Sequence, residues 1–192
     1  MKLRRRVVVP VIAIAALLIV GLVVILISLL KIQQISVSHN QPAYQAQELY
    51  TRAVDQINHG SYSSAEDYLQ QALLKQDDAT YRNQLAVVEY RLKKYPEAIA
   101  QYTKLVALKQ DLGFSYNGIG NAYRDWGGHN AEAETAYNQA IVADPHYIAA
   151  YSNLALLQSS EGKKTDAEAT IAHGITANPN SADELKAVQK NL

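Results

Sequence analysis

The stretch Tyr137–Leu157, YNQAIVADPHYIAAYSNLALL, ends one helical pattern at Asp144-Pro145 and begins another within a few residues. Proline cannot continue a helix, and it disfavours helical geometry in the residue before it. The same stop recurs 34 residues later, at Pro179 in ANPNSADELKAVQ. A stop that recurs at a fixed interval predicts a repeat.

Four copies of this repeat are found when the chain is aligned on an alanine that follows a turn. The aligned segments are GSYSSAEDYLQQAL with Ala65, KKYPEAIAQYTKLV with Ala98, GHNAEAETAYNQAI with Ala133 and GKKTDAEATIAHGI with Ala167. The alanines are 33, 35 and 34 residues apart. The copies resemble the tetratricopeptide repeat, whose period is 34 and whose pattern is W-x2-L-G-x2-Y…A-x3-F…P.

The four copies fit that pattern to different degrees. The third is the fullest match, with Tyr116, Ile119, Gly120, Tyr123, Ala133, Tyr137 and Pro145. The fourth has Tyr151, Leu154, Ala155, Ala167, Ile171 and Pro179, but Gln158 at an aromatic position. The second has Leu85, Ala86, Ala98 and Tyr102, with Gln110 in place of the proline. The first has Leu49, Ala53, Ala65 and Leu69, or, shifted by one residue, Tyr50, Val54 and Ile57; both registers stay open.

The resemblance implies an all-α fold, a right-handed α-solenoid of about four helical hairpins. The repeats are expected at about 46–78, 79–112, 113–147 and 148–181, followed by a capping helix at 182–192. Alanine and glycine let the helices approach closely, and Gly60, Gly127 and Gly162 are expected to end first helices. Ser181, three residues before Glu184, predicts a capping box at the start of the last helix.

The N-terminal segment predicts a single membrane span. Residues 7–30 are uncharged, and a helix of that length at about 1.5 Å per residue exceeds the ~30 Å hydrocarbon core. A cleaved signal peptide with its site at Ser36–Ser38 is the alternative, but its apolar region is usually only about 7–15 residues long. We therefore expect an uncleaved signal anchor at 7–30, a basic cytoplasmic tail at 1–6 and a linker at 31–45.

The basic residues Lys2, Arg4, Arg5 and Arg6 before the span indicate the orientation of the chain. Cytoplasmic flanks are enriched in lysine and arginine, so the repeats are predicted to be extracytoplasmic, in a bacterial envelope. Residues 31–192 hold 14 basic and 18 acidic residues, a net charge of −4. That balance disfavours nucleic acid as a partner, which would require a basic patch.

No catalytic pattern is found in the sequence. The five histidines are scattered without ligand spacing, and the absence of cysteine removes thiol chemistry and Cys-type zinc sites. The carboxylate pairs Glu66/Asp67 and Glu132/Glu134 are expected on solvated helix faces without raised pKa values. The sequence therefore predicts a protein that is not an enzyme and needs no metal or cofactor.

The family resemblance implies a binding groove lined by the first helix of each repeat. The positions that line it correspond here to Tyr50, Val54, Asn58, Asn83, Val87, Tyr90, Arg91, Phe114, Asn117, Asn121, Arg124, Asp125, Ser152, Leu156 and Ser159. Asn117, Asn121 and Arg124 recur at helical spacing and share one face. Asparagine can bind a peptide backbone through donor and acceptor, and arginine can bind a carboxylate. The lysine with which some family members bind a C-terminal carboxylate is absent, which disfavours that activity.

Two functions are compatible with these expectations. One is a membrane-anchored, non-catalytic scaffold or adaptor whose groove captures a protein or peptide segment. The other is a structural or oligomerising subunit of an envelope, secretion or cytochrome-maturation complex, with a homo-oligomer as one form. Similar anchored repeat proteins serve in such complexes.

Overall fold

The computed structural model describes residues 19–34 and 41–192, and all the regular structure in those two segments is helical. By its internal contacts the chain divides into two compact units, Met1–Gln45 and Ala46–Leu192. The all-α solenoid expected from the repeat is confirmed for the second unit. Its right-handed sense stays a prediction.

Helix α1 comprises residues 19–34, with isoleucine, leucine and valine side chains exposed along it. Within the described segments, no helix combines the length and the apolar character needed to cross a membrane. The predicted anchor at 7–30 is only partly described, since residues 7–18 lie outside. The basic tail at 1–6 and the alternative cleavage site at Ser36–Ser38 also lie outside.

The predicted linker at 31–45 is partly helical. Residues 31–34 belong to α1, and α2 already begins at Pro42. Proline is well tolerated in the first turn of a helix, where its missing N–H has no intrahelical partner. Pro42 therefore begins the first repeat helix, four residues before the boundary expected from the pattern.

Each repeat contains a first and a second helix joined by a short turn. They are α2 (Pro42–Asn58) and α3 (Tyr62–Lys75), α4 (Ala79–Arg91) and α5 (Tyr95–Ala107), α6 (Leu112–Trp126) and α7 (Asn130–Ala143), and α8 (Ile148–Ser160) and α9 (Lys164–Ala177). A 3-10 turn, Pro179–Ser181, leads into α10 (Ala182–Gln189). Pro145 and Pro179 follow the ends of α7 and α9 by two residues, as predicted.

The turns inside the repeats need a left-handed residue after the first helix. Gly60, Gly127 and Gly162 have φ values of 73°, 83° and 77°, which confirms that these glycines end first helices. Repeat 2 has no glycine there. Lys93 stands five residues before Ala98, as Gly60 stands before Ala65, and adopts φ 60°. A lysine in this conformation is strained relative to glycine.

Small residues set the distance between helices. Ala53, Ala65, Ala98 and Ala133 are fully buried, as the alignment predicts. At Gly120 a Cβ atom would lie 2.5 Å from the ring of Tyr137, closer than real contacts allow. The glycine thus admits the tyrosine ring between the two helices of repeat 3, which explains why it is needed there.

The register of the first repeat combines the two predicted alternatives. Ala53 is fully buried, which supports the unshifted alignment. Tyr50 and Ile57, from the shifted alignment, also pack against the core that α2 forms with α3 and α4. Because α2 contacts both α3 and α4, its buried face includes residues from both predicted registers.

The C-terminal helix covers the end of the fourth repeat. Leu185 is fully buried, and Val188 and Leu192 pack beside it on the core of repeats 3 and 4. The predicted capping box is wrong. Ser181 closes the 3-10 turn with φ −112° and ψ 16°, and its side chain makes no capping hydrogen bond.

Candidate functional site

The first helices of neighbouring repeats contact one another directly. The Tyr81 hydroxyl donates to Oε1 of Gln47 over 3.1 Å, and Asn153 Nδ2 donates to Oδ1 of Asn117 over 2.9 Å. The second helices α5 and α7, in contrast, have an open furrow between them. First helices that approach while second helices diverge form the inner side of a solenoid. We call the side of α2, α4, α6 and α8 that points away from the second helices the inner surface.

Asn121 lies on this surface in a fixed orientation. Its Oδ1 accepts a hydrogen bond of 2.8 Å from the hydroxyl of the buried Tyr137. In this orientation Nδ2 of Asn121 has no partner among the described residues. An amide with an available donor, held by a buried tyrosine, can donate to a carbonyl of a bound polypeptide.

Arg124 already has a carboxylate partner. Its Nε donates to Oδ1 of Asp125 over 2.7 Å, and the hydroxyl of Tyr90 from repeat 2 donates to the same carboxylate. Although partial burial acts to raise the pKa of Asp125, these hydrogen bonds lower it below its usual value. Arg124 therefore belongs to a charge-balanced cluster, and only its terminal nitrogens can reach a ligand.

Asn117 contributes to packing between repeats 3 and 4. It is buried, and its oxygen accepts the bond from Asn153. Asn153 was not predicted to contribute, because it lies one residue beyond Ser152, the position that corresponds to the family groove. The sequence signal that could have identified this contact was the presence of a second asparagine, Asn153, in the first helix of repeat 4.

The other predicted groove residues lie on their expected helices without one common site. Tyr50 stacks on Tyr81 with ring centroids 4.9 Å apart, so its role is partly packing. Arg91 and Leu156 are exposed. The half-buried members are Val54, Asn83, Val87 and Ser152. The structure therefore brings together Tyr90, Asn121 and Arg124 and spreads the remainder over four helices.

Buried charges in repeat 2 were not predicted. Arg82 is buried, donates to Oε1 of Gln101 over 2.9 Å and forms an ion pair with Asp77. Glu89, also buried, has its pKa raised to about 7 because burial disfavours its charged form. Both residues stand 34 positions before tyrosines of repeat 3, Tyr116 and Tyr123, and this polar-for-aromatic exchange was the available signal.

Glu66 corrects the expectation of a solvated carboxylate pair. It is buried, and Lys94 from the next repeat donates to both of its oxygens over 2.7 and 2.8 Å. The turn of repeat 2 reaches back over α3, which a reading of one helix at a time does not show. In the described segments, no cluster of histidine, aspartate or glutamate could hold a metal ion.

Comparisons with known proteins agree with this architecture. Residues 45–112 match the family model described as tetratricopeptide repeat, and no curated protein matches the chain. The crystal structure of MamA is similar, with a TM-score of 0.65 at 19% identity over 77% of this chain and 86% of MamA. A thermophilic tetratricopeptide repeat protein of Thermus thermophilus gives 0.58 at 19% identity over 75% of this chain and 79% of that one.

A third similar structure contains a ligand. It is the first repeat domain of Spaghetti (RPAP3) bound to the HSP90 peptide SRMEEVD, with a TM-score of 0.56 at 21% identity over 62% of this chain and 95% of that one. At these identities the structures establish the fold alone. The family match covers residues 45–112, and the three structures show that the described repeats share the fold of tetratricopeptide repeat proteins.

Proposed function

We propose that the chain is a membrane-anchored, non-catalytic scaffold whose inner surface captures an extended segment of another protein. The observation that carries this proposal is the arrangement around Asn121. A buried tyrosine orients its amide, its Nδ2 is available, and the terminal nitrogens of Arg124 lie one turn further along the same helix. Tyr90 joins these groups to repeat 2.

The chemistry of this surface favours the backbone of a neutral segment over an acidic terminus. Asparagine side chains offer both hydrogen-bonding roles that a peptide bond needs. Asp125 balances the charge of Arg124, and the lysine used by some relatives is replaced by Asn83 and Ser152 in neighbouring repeats. A captured segment that is rich in acidic residues would leave carboxylates without a cationic partner, which costs free energy.

We also propose that residues 7–30 anchor the chain in a bacterial cell membrane, with the N-terminus in the cytoplasm and the repeats outside it. The uncharged run and the four preceding basic residues support this arrangement. A reporter that is active only outside the cytoplasm, fused after Leu192, is expected to be active. Activity of a cytoplasmic reporter at the same position would show that the repeats lie in the cytoplasm, the opposite orientation.

The capture hypothesis can be tested by crosslinking the full chain in its native membranes and comparing two variants. Asn121→Ala with Arg124→Ala is expected to abolish the crosslinked partner while helical content stays unchanged. The matched control, Lys104→Ala with Gln71→Ala, changes exposed residues on second helices and should retain it. Equal capture by both variants would remove this site from consideration.

The alternative, a structural or oligomerising subunit, predicts a different result from a mass measurement. Full-length chain in mild detergent should remain monomeric over a range of concentrations if the inner surface is reserved for another protein. A stable oligomer that persists on dilution would favour the alternative. The same preparation can be compared with the Asn121→Ala and Arg124→Ala variant to learn whether the inner surface forms the oligomer.

A further inference from the structure

An open, mainly apolar furrow runs between the second helices of repeats 2 and 3. It has a cavity of about 560 Å³ lined by Val106 of α5, Tyr116, Ile119 and Tyr123 of α6, and Ala136 of α7. A second cavity of about 520 Å³ shares Tyr116, Thr135 and Gln139 with the first and continues to Leu112 and Val142. We call this continuous space the outer furrow.

The dimensions of the outer furrow suit a short helix. Its lining on α7 extends from Glu132 to Val142, a rise of about 15 Å, or roughly three turns. Val142 is 82% exposed at one end. Cavities of about 300–1,000 Å³ with apolar walls and a few polar groups are typical of binding sites. The floor is provided by aromatic and branched side chains, and threonine, glutamine and asparagine form the rim.

The opposite end of the outer furrow has the composition of a cation site. The ring centroids of Trp126 and His129 are 4.5 Å apart, and those of Tyr123 and His129 are 5.6 Å apart. Oε1 of Glu132 lies 3.4 Å from Nδ1 of His129. Trp126 is 44% exposed and Glu132 is 51% exposed, so both can be reached from solvent. Tryptophan and tyrosine faces attract cations, and the carboxylate adds an opposite charge.

The equivalent space between repeats 1 and 2 has the opposite polarity. Arg82 lies in its floor where the outer furrow has Tyr116, and Lys104 lies on its rim. A basic side chain would be repelled there. Among the described residues that line the outer furrow, Glu132 is the one that carries a charge. The charge and the aromatic rings therefore distinguish the outer furrow from its neighbour within the same chain.

The described repeats do not supply a suitable occupant themselves. From residue 41 onward, the exposed large apolar side chains are Tyr44, Leu74, Leu108, Trp126, Val142 and Leu156. No two of them lie on the same helix, so none of the described repeat helices presents an apolar stripe that a second copy could insert. The occupant needs a helix of different composition.

We propose that the outer furrow binds an amphipathic helix of a partner protein. The helix has an apolar stripe at i, i+4 and i+7, which packs on Tyr116, Ile119 and Val106. A lysine or arginine one turn beyond the stripe stacks on Trp126 and pairs with Glu132. This site is independent of the inner surface, so one chain can hold two protein segments at once.

The single tryptophan of the chain gives a direct readout, because Trp126 lies at the proposed cation position. The probe is a synthetic helical peptide of about 14 residues with leucines at i, i+4 and i+7 and arginine at i+11, in an alanine and glutamine background. Titration into the full chain in mild detergent is expected to change Trp126 fluorescence saturably. A peptide with glutamate at i+11 should bind about tenfold more weakly, and one with serines for leucines should not bind.

A charge-reversal variant distinguishes specific binding in the outer furrow from non-specific hydrophobic association. Glu132→Lys should weaken binding of the arginine peptide about tenfold and restore binding of the glutamate peptide, while the circular dichroism spectrum stays unchanged. Asp166→Lys, at the equivalent exposed position of repeat 4, is the matched control and should change neither affinity. Asn121→Ala should also leave both unchanged, which separates this test from the inner surface.

Three results would overturn the proposal. They are the absence of any saturable Trp126 signal, equal binding of the arginine and glutamate peptides to the unaltered chain, and loss of binding in Asp166→Lys equal to that in Glu132→Lys. Displacement of the peptide by the chain itself, seen as self-association that Glu132→Lys abolishes, would also overturn it in favour of a second copy.

Discussion

The junctions at the two ends of the repeat array differ from the junction in the middle. Lys94 of repeat 2 pairs with Glu66 of repeat 1 over 2.7 Å, and Lys163 of repeat 4 pairs with Glu134 of repeat 3 over 3.1 Å. The lysines precede the aligned alanines by four residues, and the glutamates follow them by one. At the junction of repeats 2 and 3 these positions hold His129 and Ile99. The outer furrow opens there.

The difference shows which positions of the repeat set geometry and which set chemistry. The aligned alanines of all four repeats, Ala65, Ala98, Ala133 and Ala167, are fully buried at the helix contacts. The larger positions vary between Arg82 and Tyr116, or between Glu89 and Tyr123, without a change of backbone architecture. One solenoid thus has buried charge in its first half and an aromatic furrow at its centre.

The largest expected effect is the loss of a fully buried ring in repeat 3. Tyr137→Ala removes a side chain with no solvent exposure, so we expect a loss of about 3–5 kcal/mol in the free energy of unfolding. Tyr116→Ala should cost only about 1 kcal/mol, since that ring already borders the open outer furrow. Urea denaturation measures both variants. Equal losses would mean that the furrow is closed in solution.

Glu89 is expected to make stability depend on pH. Its pKa of about 7 in the folded chain lies above its ordinary value of 4.5, so between these pH values the folded state holds a proton that the unfolded state lacks. The contribution of protonated Glu89 to the free energy of unfolding is full below about pH 4.5 and is lost as pH rises to about 7. The total loss is on the order of 2–3 kcal/mol. Glu89→Gln, which copies Gln158 of repeat 4, should remove this dependence.

The measurement is urea denaturation of the full chain between pH 5 and pH 8. Gln158→Ala serves as the control, because it alters the equivalent buried position without a titrating group. A pH profile of Glu89→Gln identical to that of the unaltered chain would show that another group is responsible. The neighbouring Glu66 and Glu97, which also act to raise the pKa of Glu89, would be examined next.

The two equivalent ion pairs should differ in their importance. The Glu66 side chain is 8% exposed, whereas that of Glu134 is 30% exposed. Lys94→Met leaves a buried carboxylate without its partner, so it should lower the thermal midpoint more than Lys163→Met, after which Glu134 can be hydrated. Calorimetry of the two variants decides. A larger decrease in the thermal midpoint for Lys163→Met would show that the ion pair between repeats 3 and 4 contributes more to stability than the pair between repeats 1 and 2.

The smallest expected effect is a gain of stability in the strained turn of repeat 2. Lys93→Gly relieves a positive φ angle and gives this turn the glycine that repeats 1 and 4 possess. Relief of the strain is partly offset by the greater flexibility of the unfolded chain, so we expect roughly 0.5–1 kcal/mol. Gly162→Lys is the mirror control and should destabilise by a similar amount. A loss in Lys93→Gly would contradict the account of the turn.

The sequence predicted the parts of the fold that depend on local patterns. The aligned alanines, the glycine turns and the stops at Pro145 and Pro179 each act within one hairpin, so period and residue type were sufficient. The contacts Lys94–Glu66 and Asn153–Asn117 join different repeats, and their partners lie 28 and 36 residues apart. A position that is polar in one repeat and aromatic in the next is buried or exposed according to its neighbour, which a single-repeat pattern does not specify.

The central claim is that the first-helix side of the repeats receives a protein segment. A photo-crosslinking side chain at Asn83 or Ser152 in the full chain, irradiated in native membranes, tests this claim most directly. We predict a discrete protein adduct from both positions, and none from the exposed Ala172 of α9, which lies outside the outer furrow. Adducts from Ala172 alone, or no adduct from either inner position, would contradict the claim.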